Sequence, residues 1–473
     1  MGLKRRMRKI RLSLDGEKGE LTGLLNELQM WNLSLKHCFE RTEIPPTESI
    51  RDRAVTVMYD QFNITTCDRA TEDARILHEA LTKNWDCTCA VPHDGSLRLK
   101  WHMAKMSANA QYEMAMSLEE TTGRASAVGW KTIKMTVDSA RLQSPTVASK
   151  THRAPPTGAL KSAKPSKMPK KVRIHEFLPS RTIESNDQSA TQAVCSSTSA
   201  ASCTNTERRP TSRNMSPITT LCSSIAGCDD SNQDLGYLTY VENSSTVQVH
   251  VQNTPTKLTS MSMAPVRTNQ HQVSGLSLAS KQRLEIAASL CWAVLLLSDT
   301  DWLSSDLAQE EFQLLLDNVN PHKQDSLQGT YISFRNGTPQ TGKGSLPISL
   351  ASDPTLSAFI RNRTLFTLGV MLIELCLGRS FENLQADSSI LIGTKLQNTA
   401  SSFRDYDFLS ILVDKVQLEV GEQYADAIRR CLRCPFDGRD DEQDLKLPQF
   451  RKNFFLGIVA PVQATYNRLS ALW

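Results

Sequence analysis

Apolar residues recur at three- and four-residue steps over 20–41, where Leu21, Leu24, Leu25, Leu28, Trp31 and Leu35 form the stripe of an amphipathic helix. Pro45-Pro46 ends it. A second helix is predicted over 50–62. A third runs over 67–85, with Ala70, Ala74, Leu77 and Leu81 on one face. The period then shortens to two. Ser96-Leu97-Arg98-Leu99-Lys100-Trp101 alternates, as does the stretch around Tyr112, Met114 and Met116, which predicts a small strand pair. Further on, a short apolar helix is predicted at 218–225, strands at 236–241, 246–251 and 331–334, and an otherwise mostly helical chain beyond Leu276.

The two most apolar stretches, 284–297 and 365–378, fall short of the roughly 18–20 apolar residues of a membrane span. They also contain Glu285 and Glu374. Both read as buried helices, and the chain is expected to be soluble and intracellular, in cytoplasm or nucleus. Between the structured stretches the character changes sharply. Residues 141–175 hold nine Lys/Arg, no acidic residue, and Pro145, Pro155, Pro156, Pro165 and Pro169. Ser, Thr, Ala and Asn dominate from Glu176 to about Ser216. Such a segment buries too little apolar surface to offset its ordering entropy, so a disordered linker is expected over 141–216. The expected fold class is therefore mainly α: a helical region with a small β element over 1–140, the linker, and an α-rich domain with a few short strands over 217–473.

Composition narrows the classes further. In 473 residues, apolar types make up 40% and charged types 22%, enough for a sizeable core. Lys and Arg number 54 against 50 Asp and Glu, a net +4, too even for a surface given wholly to nucleic acid. Twelve Cys in this length do not make a disulfide framework. The first eleven residues carry six basic side chains but no apolar run follows, so they do not read as a secretory signal.

Candidate chemistry is sparse. Gly337-Thr-Pro-Gln-Thr-Gly342-Lys343 has the spacing of a phosphate-cradling loop, but Gly344 stands where a magnesium-binding Ser/Thr is needed, and Ser345-Leu346-Pro347 replaces the helix start. Nucleotide binding by this loop is rejected. Cys87-Thr88-Cys89 with His93, and with His78 and His102 nearby, raises zinc, yet structural zinc uses two ligand pairs and no second pair lies close in sequence. Cys431 and Cys434 share a helix face as core thiols would. The histidines sit in no nucleophile motif. No catalytic, cofactor-binding or metal-binding residue is expected. The basic tract Lys161–Arg173 suits an acidic partner or an import receptor. It has no interleaved aromatics for base stacking, so direct nucleic-acid recognition is not favoured.

Three stretches carry a resemblance. In 361–381, Thr367, Leu368, Gly369, Val370, Leu372, Glu374, Leu375 and Gly378 fall where the central helix of protein kinases has its Ser-Leu-Gly-Val pattern. In 421–439, Cys431, Leu432 and Arg439 keep the spacing of a later kinase helix, and 280–297 resembles the helix before the catalytic loop. Together with 78–101, 218–240, 298–307 and the basic start at 4–28, they make the chain similar to a fungal family of uncharacterised proteins. That family has a degenerate kinase-like C-terminal domain, and its helical N-terminal region resembles domains of incompatibility and cell-death proteins. The resemblance implies further helices ahead of residue 4, so an N-terminally truncated chain or an incomplete gene model is expected.

Laying the kinase catalytic loop over 304–315 puts Asp306 at the catalytic Asp, with Ser304 and Ser305 for His-Arg, Ala308 for the Lys, and Glu311 for the metal-binding Asn. No Asp-Phe-Gly, Ala-Pro-Glu, Gly-rich loop or Val-Ala-Ile-Lys strand accompanies it. Losing a single such electrostatic partner costs several kcal/mol of barrier, and here several are gone. The resemblance thus implies a kinase-like scaffold without kinase chemistry, acting through protein partners. Its core is expected where Leu284, Ala288, Trp292 and Leu296 meet Leu368, Leu372 and Leu375. Two alternatives stand beside it: a divergent phosphotransferase using Asp306, and a nuclear factor imported through 161–173.

Overall fold

A computed structural model describes residues 28, 32, 52–85, 89, 93–99, 110–122, 125–138, 216–227, 233–242, 245–262, 278–304, 307, 311–317, 326–334, 360–387, 401–436 and 444–471. The predicted linker 141–216, apart from Ser216, and nearly all of the predicted helix at 20–41 lie outside them.

Local chemistry sets the helix starts. Asp52 Oδ1 accepts from the Ala54 N–H at 2.7 Å and opens α1 (Arg53–Gln61). Asn63 Oδ1 accepts from the Thr65 N–H at 2.9 Å and opens α2 (Ile64–Asn84). Such caps satisfy amides that the first turn leaves without carbonyl partners. After α3 (Leu221–Ala226) comes α4 (Ser280–Leu297), where Gln282 reaches back to accept from the Ala279 N–H at 2.9 Å. From Ile286 to Leu297 every residue of α4 is buried, the mark of a helix enclosed on all sides. Helix α5 (Arg363–Leu377) is capped by Asn362 and ends at Gly378, whose left-handed φ of 66° lets its N–H return to the Glu374 carbonyl at 2.7 Å. Short α6 (Phe381–Ala386) follows, then α7 (Ser401–Val420), α8 (Glu422–Arg433) and α9 (Pro448–Phe454). A π-helical turn (Phe455–Val459) joins α9 to α10 (Ala460–Ser470).

The strands overturn the expectation of a mainly α fold with a small β element. Strands β1 (Gly95–Arg98), β2 (Gln111–Thr122), β3 (Ala125–Val137), β4 (Asp234–Glu242), β5 (Ser245–Ser262), β6 (Phe312–Asp317) and β7 (Ser326–Phe334) form one antiparallel seven-stranded sheet, ordered β3-β2-β1-β7-β6-β5-β4. A further pairing of β3 with β5 closes six of these strands on themselves, with β4 outside along β5. Strands from before residue 141 thus hydrogen-bond directly to strands from after residue 216, and both regions share one apolar core.

Along β1, β2 and β6 successive residues are buried on both faces, which blurs the apolar–polar alternation that marks a half-exposed strand, whereas β3, β4 and β5 keep it over 133–137, 236–240 and 248–252. On β2, Tyr112, Met114, Met116 and Leu118 face the helical core, while Ala115 packs inward with Trp130, Leu315 and Tyr331. Strand β5 also contains Pro255, which argues against a strand interior. The chain accommodates it at an irregularity: Lys131 pairs with Lys257 and Thr132 with Thr254, so Pro255 and Thr256 are skipped in the β3 register.

Leu284, Ala288, Trp292, Leu296, Leu368, Leu372 and Leu375 are all buried in the main core, and α4 packs against α5, α10 and α2. Polar anchors tie this core together. Trp292 Nε1 donates to Gln463 Oε1 at 3.1 Å, Trp302 Nε1 to the Ala74 carbonyl at 2.8 Å, and the Tyr424 hydroxyl to the Leu372 carbonyl at 3.1 Å.

Candidate functional site

Few of the residues singled out for phosphate chemistry fall among those the structure describes. Asp306, Arg439, the loop Gly337–Lys343 and the tract Lys161–Arg173 lie outside the described residues. At the edges of the stretch overlaid on a catalytic loop, the Ser304 N–H donates to Glu311 Oε1 at 3.1 Å, and Phe312 to Leu315 already belong to β6. Glu374 is consumed inside the fold, accepting from the Phe381 N–H at 2.7 Å where α5 turns into α6. Gly369 is an intimate packing position. A Cβ placed there would lie 2.9 Å from Cys431 Cβ and 3.0 Å from a Leu432 methyl, so α5 and α8 meet closely at a helix crossing.

The cysteine and histidine candidates separate into two kinds. Cys431 and Cys434 are buried at the end of α8, and burial raises the Cys431 thiol well above its ordinary value, which disfavours the thiolate a metal needs. His78 is wedged edge-on between Trp302 and Phe334, with ring centroids at 5.3 and 5.0 Å, and burial lowers its pKa despite Asp301 nearby. Cys87 and His102 lie outside the described residues.

Cys89 and His93 behave otherwise. Helix α2 runs up to Trp85, whose ring packs on Phe334 at 4.7 Å, and β1 follows in the chain at Gly95. Ser117 on β2 fixes this return: its hydroxyl accepts from the Asp94 N–H at 2.6 Å, and its own N–H donates to the Asp94 carbonyl at 2.8 Å. The Ser117 carbonyl lies 2.8 Å from His93 Nδ1. On the far side of the long predicted linker, the Ile218 N–H donates to the Tyr237 carbonyl at 2.9 Å and aligns the start of α3 with β4. Buried Cys222, the second residue of α3, thereby reaches the same spot, its Sγ 3.7 Å from Cys89 Sγ. The two sulfurs and a ring nitrogen of His93 all lie within 4.8 Å of one another. The C-x-C and the His were visible in the sequence. Cys222 was not, because 133 residues separate it from Cys89 and no spacing rule spans such an interval.

Two other polar clusters are paired internally, although Arg98 Nε and Arg451 Nε have no hydrogen-bond partner. Inside the closed sheet, Arg98 donates to both Glu113 oxygens at 2.8 and 2.7 Å and to the Gln328 carbonyl, while the Tyr331 hydroxyl donates to Glu113 Oε1 at 3.1 Å. Gly329, at φ 155°, leaves the space that the Arg98 guanidinium occupies. A groove of about 190 Å³ lies between α2, the end of α4 and α9, below the usual size of a small-molecule site. Its charges pair across it, Arg451 with Asp68 and Lys446 with Asp299 at 3.1 Å. No helix among the described residues is long and apolar enough to cross a membrane.

No curated protein and no solved structure matches the chain. A family match does cover residues 65–468, which takes in every described strand, most of the core and the Cys89–His93–Cys222 cluster. The chain belongs to the family described as Domain of unknown function (DUF7580).

Proposed function

We propose that the chain is a non-catalytic interaction module whose kinase-like helices serve as scaffold. The observation that carries this reading is the contact of Gly369 with Cys431 and Leu432, together with the engagement of Glu374 by the Phe381 amide. The residues that resemble those of catalytic helices are taken up by packing and helix termination. The described charged groups with recognisable chemistry, Arg98 with Glu113 and Arg451 with Asp68, are likewise paired internally. Phosphoryl transfer needs metal and lysine charges aimed at an open phosphate site. Function in such a module resides in its surfaces and the proteins they hold, with Lys161–Arg173 supplying a basic contact for an acidic partner or an import receptor.

The test is thermal unfolding of the full-length chain with and without magnesium and ATP, alongside a radiolabel-transfer assay. The expected result is no shift and no transfer. Metal-dependent turnover that Asp306→Asn abolishes overturns the reading in favour of a divergent phosphotransferase.

A further inference from the structure

We propose that Cys89, His93 and Cys222 bind a zinc ion, tying the connection between α2 and β1 to the start of α3. The sulfur geometry is the first argument. Two thiolates at about 2.3 Å from one tetrahedral ion sit about 3.8 Å apart, and the observed separation is 3.7 Å. A disulfide between them instead requires about 2.05 Å, far shorter than that separation.

The histidine supplies the second and independent argument. His93 Nδ1 faces the Ser117 carbonyl at 2.8 Å, a contact that calls for a proton on Nδ1 and leaves the Nε2 lone pair unprotonated. His93 Nε2 is buried from solvent and has no hydrogen-bond partner. An orphaned buried ring nitrogen is costly as it stands, and a metal bond relieves that cost. A carbonyl that holds the far nitrogen and orients the ring is the usual support for a metal-binding imidazole. The donor set of two thiolates and one imidazole selects a soft or borderline cation, zinc among the abundant ones.

Access and charge are consistent with loading. Cys89 is exposed and Cys222 is buried, so the ion enters from the Cys89 side. Binding converts both thiols to thiolates and releases their two protons to solvent, so affinity rises with pH through the thiol range. Two thiolates and a neutral imidazole leave the centre with no net charge, and one tetrahedral position remains for a further donor. The ion adds a cross-link to the apolar anchoring that Leu221 and Ile225 of the six-residue α3 already make in the core.

The experiment uses the full-length chain. Zinc content is measured by mass spectrometry of the purified protein, and cobalt is substituted to read sulfur coordination from its absorption spectrum. Equimolar zinc and a thiolate-to-cobalt charge-transfer band are expected. Cys222→Ser is expected to weaken zinc binding by more than the roughly 10–100-fold that loss of a supporting hydrogen bond costs, whereas Cys376→Ser, away from the cluster, leaves it unchanged. If Cys222→Ser fails to fold, the cobalt spectrum of the unaltered chain decides alone. Absence of that band, zinc retained by Cys222→Ser, or a Cys89–Cys222 disulfide found in the native chain after alkylation would overturn the proposal.

Discussion

Replacing Asp73 by Asn should remove a pH-dependent weakness from the core. Asp73 lies on α2, 4% exposed, with Oδ2 accepting from the Tyr112 hydroxyl at 2.9 Å. Burial pushes its carboxyl up from 3.8 to about 6, over the opposing pull of the Tyr112 hydrogen bond and the Arg69 charge, while Glu72 adds to the rise. The folded value exceeds the unfolded one, so the folded protein binds this proton more tightly. Stability from this group is complete below about pH 4, falls as pH rises through the window between the two values, and is fully lost above about pH 6. A rise from 3.8 to about 6 corresponds to about 3 kcal/mol, at about 1.4 kcal/mol for each pH unit. Asn keeps the shape and an oxygen for Tyr112 but carries no charge. Urea unfolding at about pH 4 and about pH 8 should give nearly equal stabilities for the two proteins at the lower pH. At the higher pH the Asn protein should lead by up to about 3 kcal/mol, with an unchanged denaturant slope. A stability difference that is the same at both pH values would refute the assignment of the cost to a buried charge.

Other perturbations probe separate contacts. Gly369→Ala improves helix propensity by up to about 1 kcal/mol, but it drives a methyl against Cys431 and Leu432. A net loss of about 1–2 kcal/mol in chemical denaturation is expected, and a stabilised variant would show that α5 and α8 part freely. Glu113→Ala leaves Arg98 without its carboxylate inside the sheet and should cost about 3 kcal/mol; adding Arg98→Met should recover part of that loss in a double-mutant cycle, and strict additivity would argue against coupling. Trp302→Phe keeps ring packing on Phe334 and deletes the bond to the Ala74 carbonyl, for an expected loss of about 1–2 kcal/mol by thermal unfolding. Chelation of metal from the loaded chain should lower its melting temperature, and the drop should vanish in His93→Gln.

The helices were legible because their signals are local. The apolar spacing of 67–85 and 365–378 acts within a few residues of where it is written; the caps at Asp52, Asn63 and Asn362 and the stop at Gly378 have the same short range but became evident only in the structure. The strands at 236–241, 246–251 and 331–334 were likewise marked by local alternation, and β4, β5 and β7 include them. Strand β6 was obscured by the overlay of 304–315 on a catalytic loop. Strand β3 went unread although Ile133, Met135 and Val137 alternate with Lys134 and Thr136, and the second half of β5 went unread because Pro255 interrupts it.

By itself, then, the sequence marked helices near 50–62, 67–85, 218–225, 280–297 and 365–378, and showed that two apolar stretches must be buried in a core. Tertiary structure alone decided that strands from both sides of 141–216 share one closed sheet. It also decided that Gly369 meets Cys431 and that Cys222 comes to rest 3.7 Å from Cys89. The difference is one of range. Caps and periodicity are satisfied by neighbours along the chain, whereas strand pairing and ligand clustering depend on which distant surfaces the closing of long loops brings together, and a one-residue change of register would send each side chain to the opposite face.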